Sequence, residues 1–567
     1  MAIVHIVDAL LASGRISEKD AERIRKSRSA ESSESFTEII LRLNLAGENE
    51  ISQIYKSYFG IETIDLDTCG DDADLAGLIP KAMARKFNMV PARLEDGRIY
   101  MAMKEPLDIA AQKAARTASK QNIIPCFAIP EAIDRRTISL YENREYESAA
   151  VEIGRSMTES ELSQLGSEIN DLDGDASASL PAVRLVNSMI EQAASERASD
   201  IHIEPSESKV TVRMRIDGVL RQMMELPVNV RLALTSRIKV MGGMDVTEKR
   251  IPQDGRANVK VLGRNIDLRI STLPSVHGEK TVIRLLDKTA GVLDKKLIGL
   301  SEKNMKFYQD LLANTAGVIL MAGPTGSGKT STMYTMIKEL TDISTNLVTL
   351  EDPVELNFPG ITQVQINEKT GLTFASGLRS ILRQDPDIIA IGEIRDGETA
   401  EICMRAAITG HMVLSTIHTN DAVSVFDRLK DIGVPPYLTA AGVSGIISQR
   451  LVRKICPKCR QEYEPGEHEF VLAGLERSEM EGHRFYKGCG CSGCMGTGYR
   501  GRTGVFEILP VTSKIRRCIA EDMGHEKLEE AARETGYTTL RESSLSLLLE
   551  GQTTLEEMAR VVNSMDL

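Results

Sequence analysis

This sequence predicts an α/β fold built on a parallel sheet, and three observations carry that prediction. Four short, almost wholly apolar runs, at Gly317–Ala322, 347–350, Ile388–Ile391 and 412–415, alternate with helical patterns, as strands covered on both faces do. A glycine-rich loop, Gly323-Pro324-Thr325-Gly326-Ser327-Gly328-Lys329-Thr330, lies between the first run and a helical stretch over 331–340 that opens at Ser331. At 567 residues the chain has room for about three or four domains, and 42% apolar residues supply their cores.

The elements follow in order. Residues 6–24 and 39–59 repeat one pattern: an apolar helical stripe, a Gly turn at Gly14 or Gly47, then a second stripe opened by Ser17 or Ser52 as a cap. Two helical hairpins are expected, then a mixed region with a strand at 100–103 and a helix over 107–120. The first domain spans 1–141 and reads as a partner-docking domain. Residues 142–179 carry ten acids against two bases, too few apolar groups to offset ordering, and read as a flexible acidic linker. A helix begins at Pro181, with Ser179 as its cap and Val183, Val186, Met189, Ile190 and Ala193 on one face. Strands at Lys209–Ile216 and 266–270 and a helix over 233–242 complete an α/β domain at 180–290. The parallel-sheet domain occupies 291–567, is interrupted by a cysteine-rich module at 456–500, and ends in a helical tail from about 512.

Composition excludes several functions. The net charge of −12, the absence of Trp and only 4% aromatics argue against a general nucleic-acid binder. No apolar run approaches the ~18 residues that span a bilayer, and no basic leader precedes the first apolar stretch. A soluble, cytosolic chain is expected, reaching membranes only through partners. Of nine cysteines, five fall between Cys456 and Cys494, which suggests metal rather than disulfides.

The loop at 323–330 matches GxxxxGK[ST] in its required setting. Its glycines let backbone N–H groups curl around phosphate, and the following helix N-terminus adds partial positive charge. Lys329 would reach the outer phosphates of ATP and Thr330 would hold Mg²⁺. The strand Ile388–Ile391 leads through Gly392 to Glu393, positioned for the metal or its waters. A second acid-rich strand end, Thr349-Leu-Glu-Asp-Pro-Val-Glu355, offers Glu355; both glutamates are candidates to polarise attacking water, against the plainer reading of solvated strand-end acids. His411 and His418 flank another strand. From the pattern alone a hydrogen-bonded structural role is favoured for both; His418 leads as a site candidate because it lies past the strand's carboxyl end, where ligands bind open sheets. Cys456-x-x-Cys459 and Cys491-x-x-Cys494, 31 residues apart, have the spacing of a closed tetrahedral Zn²⁺ site; Cys489 could substitute for Cys491, but Cys491-x-x-Cys494 has the better spacing. Cys69, Cys126, Cys403 and Cys518 are isolated and read as core residues.

Taken in order, GPTGSGKT, TLEDPVE, IIAIGEIRDGETA and TGHMVLSTIHTNDA resemble the Walker A, Asp box, Walker B and His box of the ATPase superfamily that drives type II secretion and type IV pili. The segments ASDIHIEP, RMRIDG and IPQDGR in 198–256 resemble that family's second N-terminal domain. The resemblance implies a RecA-like domain preceded by a PAS-like domain, a homohexamer, and nucleotide between the two. It also nominates Arg269 and Arg284 to reach the nucleotide phosphates, with Arg379 and Arg383 as a further basic pair. Planar guanidinium groups suit charge developing on a phosphoryl group.

Relatives that extend pili or export proteins typically carry the cysteine module and a large N-terminal domain, and both are present here. The resemblance therefore implies a cytoplasmic motor, peripheral to the inner membrane through a platform protein and other assembly proteins. Pilus assembly is the first expectation and type II export the alternative. Some relatives bind cyclic di-GMP through an Arg-Leu-Gly start; here those positions read Val7-Asp8-Ala9 and Leu41-Arg42-Leu43, so that ligand is not predicted. Two other functions compete: a DNA-translocating motor, which the acidic balance disfavours, and a nucleotide-gated scaffold without turnover.

Overall fold

A computed structural model describes residues 5–27, 35–43, 45–66, 69, 75–130, 132–137, 140–141, 181–287, 295 and 297–563. The acidic segment 142–179, with Ser179, lies outside them. The chain divides into two compact units, Met1–Ala290 and Gly291–Leu567.

The first unit opens with helices Ile6–Ala12, Glu18–Ser27, Phe36–Arg42 and Glu48–Phe59. Their stripes meet in a core of Leu10, Ile24, Ile39, Ile51 and Tyr55. Ser17 accepts the Asp20 N–H at 3.2 Å, as a cap should. Ser52 does not cap: the fourth helix begins four residues earlier, where Gly47 donates its N–H to the Glu50 carboxylate at 2.9 Å. An acid at the third helical position outcompeted the serine because it reaches back to the free amide. Strands β1 (Met89–Glu95), β2 (Arg98–Met103) and β3 (Asn122–Phe127) form a sheet in that order, β1 antiparallel and β3 parallel to β2. The helix expected over 107–120 occupies Ile109–Ser119, because Asp108 accepts the Ala111 N–H and fixes its start. Buried Lys104 holds this sheet to the helical hairpins, its ammonium 2.9 Å from both Glu38 and Asp134.

A second sheet in this unit comprises β4 (Asp200–Pro205), β5 (Lys209–Ile216), β6 (Val219–Pro227), β7 (Gln253–Val261), β8 (Arg264–Ser275) and β9 (Gly278–Asp287), in the order β6-β5-β4-β9-β8-β7. Every neighbouring pair is antiparallel. Helices Pro181–Ser195 and Arg231–Met241 pack against it. Along β5, Val210, Val212, Met214 and Ile216 are buried, while Thr211, Arg213 and Arg215 point to the other face.

The second unit is the predicted parallel sheet. Its strands are β10 (Gly317–Ala322), β11 (Leu347–Glu351), β12 (Thr362–Gln365), β13 (Ile388–Ile391), β14 (Met412–Ile417), β15 (Val443–Ile455) and β18 (Tyr499–Pro510). Between β15 and β18 lies a small hairpin, β16 (Arg460–Tyr463) with β17 (Phe485–Gly488). The order is β12-β11-β13-β14-β10-β15-β18, parallel throughout except for the final pair. Consecutive residues of β10 serve opposite cores. Val318, Leu320 and Ala322 face Ile389, Val413 and Cys403, whereas Ile319 and Met321 face Met333, Met336 and Ile337 of helix Lys329–Leu340. This double burial explains the unbroken apolar runs.

The last helix, Leu555–Asn563, is anchored by a buried ion pair. Arg453 of β15 donates from Nε and Nη2 to the same Glu557 oxygen, Oε1, at 2.9 and 2.8 Å and stacks 3.9 Å over the Tyr499 ring. Glu557 is only 3% exposed, and without the Arg453 side chain it would keep the Arg560 guanidinium at 3.0 Å and the residue 453 N–H at 2.7 Å. We expect Arg453→Ala to cost about 1–3 kcal/mol through its lost charged hydrogen bonds, measured as a lowered urea midpoint of the unfolding transition that contains the second unit.

Candidate nucleotide site and metal centre

The strand-to-helix turn after β10 positions the phosphate loop. Gly323 and Gly328 both have positive φ, +143° and +94°. A Cβ at Gly323 would lie 2.7 Å from the Gln449 carbonyl, and one at Gly328 would lie 2.7 Å from the Gln449 amide nitrogen. Strand β15, which passes behind the loop, therefore requires Gly323 through its backbone, and the left-handed φ of Gly328 requires the second glycine. Gln449 donates from Nε2 to the Ser327 carbonyl at 2.7 Å and so braces the loop from its inner side. The Lys329 ammonium donates to the carbonyls of Gly323 and Pro324 at 2.7 and 3.0 Å. Burial pushes this ammonium down to about 8, with Glu393 pulling it back up and Arg450 adding to the depression. Pro324, Thr325, Gly326, Thr330 and Ser331 are exposed, so the rim of the loop is open.

Glu393 and His418 converge beside Lys329. Glu393 follows β13 by two residues and accepts from Arg395 Nε at 2.7 Å. His418 Nε2, just past β14, is 3.4 Å from Glu393 Oε2. Burial and the Lys329 charge hold the His418 imidazole below its ordinary value, outweighing Glu393, so the ring is neutral at neutral pH. His411 sits at the other end of β14, with Nδ1 2.9 Å from the Ala406 carbonyl, a structural bond remote from the loop. Arg379 pairs with Glu398, and Arg383 donates to the Arg379 carbonyl at 2.8 Å.

Glu355 is half-buried in the loop after β11, and its N–H donates to the Tyr334 hydroxyl at 3.2 Å. That hydroxyl donates to Glu351, the last residue of β11, at 2.5 Å. Glu351 is 3% exposed, so one acid of the TLEDPVE segment is buried rather than solvated. Sequence reasoning missed Tyr334, Glu351 and Gln449. For Glu351 a signal existed, since it directly extends the run at 347–350, and a strand of such a sheet is covered on both faces. For Gln449 there was none, because its role depends on which strand becomes the neighbour of β10.

In the first unit, Arg269 and Arg284 are directly opposite one another on β8 and β9. The same register row continues to Arg256 on β7, Asp200 on β4 and Arg215 on β5. Directly opposed residues share a face, so four guanidinium groups line up against one carboxylate. Asp200 accepts from Arg284 Nε at 3.0 Å. Arg256 and Arg215 joined this row only through pairing that no local pattern reveals.

Cys456, Cys459, Cys491 and Cys494 come together with all four sulfurs within 4.8 Å of one another. The Cys456–Cys491, Cys459–Cys494 and Cys491–Cys494 separations are 3.8, 3.8 and 3.7 Å. A tetrahedron with metal–sulfur bonds of about 2.3 Å has edges of roughly 3.8 Å, so the donor set fits Zn²⁺ with no open position. Backbone N–H groups of Cys491 and Gly498 donate to Cys494 Sγ at 3.2 Å, favouring thiolate. Cys489 is exposed and outside this set. Of the isolated cysteines, Cys126, Cys403 and Cys518 are buried as expected, and Cys69 is only half-buried.

The family model for type II/IV secretion system proteins matches residues 175–560. This chain belongs to that family. An MshEN domain model matches residues 59–147. The chain is 40% identical over 518 residues to the type IV pilus assembly ATPase PilB of Thermus thermophilus, aligning 90% of itself and spanning 57% of that longer protein. It is also 40% identical over 492 residues to the type II secretion system protein E of Pseudomonas aeruginosa, covering 85% of itself and 96% of that protein. The ATPase DotB of Legionella pneumophila shares the fold, with a TM-score of 0.52 at 19% identity over 67% of this chain and 95% of DotB. This secretion-family protein is accordingly an ATP-binding, ATP-hydrolysing enzyme with a RecA-like domain. Among its described residues, no helix is long and apolar enough to cross a membrane.

The four-sulfur cluster joins the two ends of the module at 456–500, so its metal should support folding locally. We expect Cys494→Ser to lower bound zinc, measured by elemental analysis of the purified protein, to below about a tenth of an equivalent. The melting temperature should fall with it, and Cys489→Ser should leave both unchanged.

Proposed function

We propose that this ATPase is the cytoplasmic motor of type IV pilus assembly, working as a homohexamer on an inner-membrane platform protein. The observation that carries the reading is the convergence of Lys329, Glu393 and His418 at the edge of a braced phosphate loop. Lys329 exchanges its carbonyl partners for the outer phosphates of ATP. Thr330 and Glu393 would hold Mg²⁺, which offsets phosphate charge when bound. Glu355 polarises the attacking water, and neutral His418 reports on the terminal phosphate through its contact with Glu393. Arg269 and Arg284, in a row already rich in positive charge, neutralise the phosphoryl group as the second N-terminal domain closes on nucleotide. Closure and reopening supply the mechanical step. The MshEN match and the PilB-like relative support pilus assembly.

Type II export is the second reading, favoured by equal identity to the Pseudomonas aeruginosa protein over nearly all of its length. Deleting the gene decides between them. Loss of surface pilus fibres with normal exoprotein in the medium supports assembly, and the converse supports export.

Two biochemical outcomes follow from the site. Lys329→Ala should reduce phosphate release by purified hexamer at least about 100-fold, and Glu355→Gln should slow it to a similar degree while leaving nucleotide binding intact. The Lys329 ammonium titrates at about 8 instead of its ordinary 10.5, so between those values the nucleotide-free protein has lost a proton that bound triphosphate restores. ATP binding should therefore take up protons above pH 8, and affinity should fall as pH rises through that range. Calorimetry in two buffers of different ionisation enthalpy measures the uptake. It should vanish in Lys329→Arg, which stays charged.

A further inference from the structure

The helix that opens with Lys329 is tied to the loop that carries Glu355 by one side chain. Tyr334 lies one and a half turns into helix Lys329–Leu340 and is 2% exposed, with its ring 5.3 Å from that of Phe358. Its hydroxyl has one proton and gives it to Glu351 Oε2 at 2.5 Å, leaving its oxygen to accept the Glu355 N–H at 3.2 Å. Glu351 is fully engaged within the protein. Its other oxygen accepts from Thr349 Oγ1 at 2.5 Å and from Gln363 Nε2 at 3.1 Å. Gln363 then grips the same loop from the far side, donating to the Leu356 carbonyl at 2.9 Å and accepting the Phe358 N–H at 2.8 Å. Segment 355–358 is thus held at three backbone points by two side chains that both rest on one buried carboxylate.

A buried carboxylate without partners is strongly unfavourable, so this group is kept only with its hydrogen bonds complete. Complete, it is rigid. We propose that Tyr334 is a positioning residue for hydrolysis: anchored on Glu351, it fixes the Glu355 backbone relative to the phosphate loop, so that the water-activating carboxylate and the terminal phosphate stay in register. Gln363 is its counterpart on the opposite side of the loop. This rests on the reading of Glu355 as the group that polarises water.

The test is steady-state ATP turnover by the full-length protein. Tyr334→Phe keeps the ring packing and removes only the hydroxyl. It should lower kcat roughly 10- to 100-fold, the range a misplacement near 1 Å produces, while KM for ATP and affinity for a fluorescent ADP analogue stay within about twofold. Gln363→Leu loosens the loop from the other side and should show the same split; it carries the test if Tyr334→Phe fails to fold. In a Glu355→Gln background, Tyr334→Phe should add less than about a twofold further loss, because a residue acting through Glu355 has nothing left to position. Full turnover in both Tyr334→Phe and Gln363→Leu, a KM rise with kcat unchanged, or full additivity with Glu355→Gln would each overturn the proposal. If Glu355→Gln itself retains turnover, the assignment of the water-polarising group is what fails. If Glu355→Gln is inactive and Tyr334→Phe is not, only the positioning role fails.

Discussion

An ammonium group stripped of much of its water is the constraint around which the second unit is organised. Lys329 must stay close to the loop backbone, with a carboxylate near enough to keep it charged, yet it must be free to change partners. Its bonds to two main-chain carbonyls meet that need, because they satisfy the ammonium without committing it to a fixed counter-ion. The loop in turn cannot collapse onto the lysine, since Gln449 holds the Ser327 carbonyl from behind. Sheet order makes this possible. β10 lies between β14 and β15, so the turn after it has His418 on one flank and Gln449 on the other.

The polar groups around the loop differ in how they are satisfied. Glu351 has every bond inside the protein and serves as a fixed point. Glu507 on β18 is another, accepting the N–H groups of Ala422 and Leu540, and burial pushes its carboxyl up to about 7. Glu393 and His418 are partly exposed and share only a long contact. Rigid interior carboxylates thus frame a small set of groups that retain freedom to respond to ligand, the division that a site with changing occupancy requires.

Much of this was legible in the amino-acid order and some was not. Unbroken apolar runs announced strands buried on both faces, and the glycine spacing announced the phosphate loop, because both depend on near neighbours in the chain. The paired CxxC spacing likewise singled out the four cysteines that meet, with Cys491 rather than Cys489. The misses share a physical reason. Ser52 looked like a cap until Glu50 offered the free amide a better acceptor. Arg256 and Arg215 stand in a row with Arg269 and Arg284 only after antiparallel register brings together residues up to 69 positions apart, from Arg215 to Arg284. Gln449 and Tyr334 gain their meaning from the strand and loop that fold against them.

The final strand pair carries a consequence for how such proteins diversify. β15 keeps pace with β10 only as far as Ser448, then runs on to Ile455 with β18 as its companion, an overhang of roughly 20 Å at about 3.3 Å per residue. Helices from the carboxyl-terminal region close over it through Leu540 and Val561. At its tip, Ile455 and Tyr499 are paired across the ladder, so everything between them enters and leaves the fold at adjacent points. Excising that stretch would leave the order of the sheet undisturbed, but it would uncover Leu548, Leu555 and Met558 of the last helices, which pack on Phe470, Leu475 and Phe485. The thiol-bearing knuckles are therefore a fitting that can be exchanged only together with the helical surface it covers.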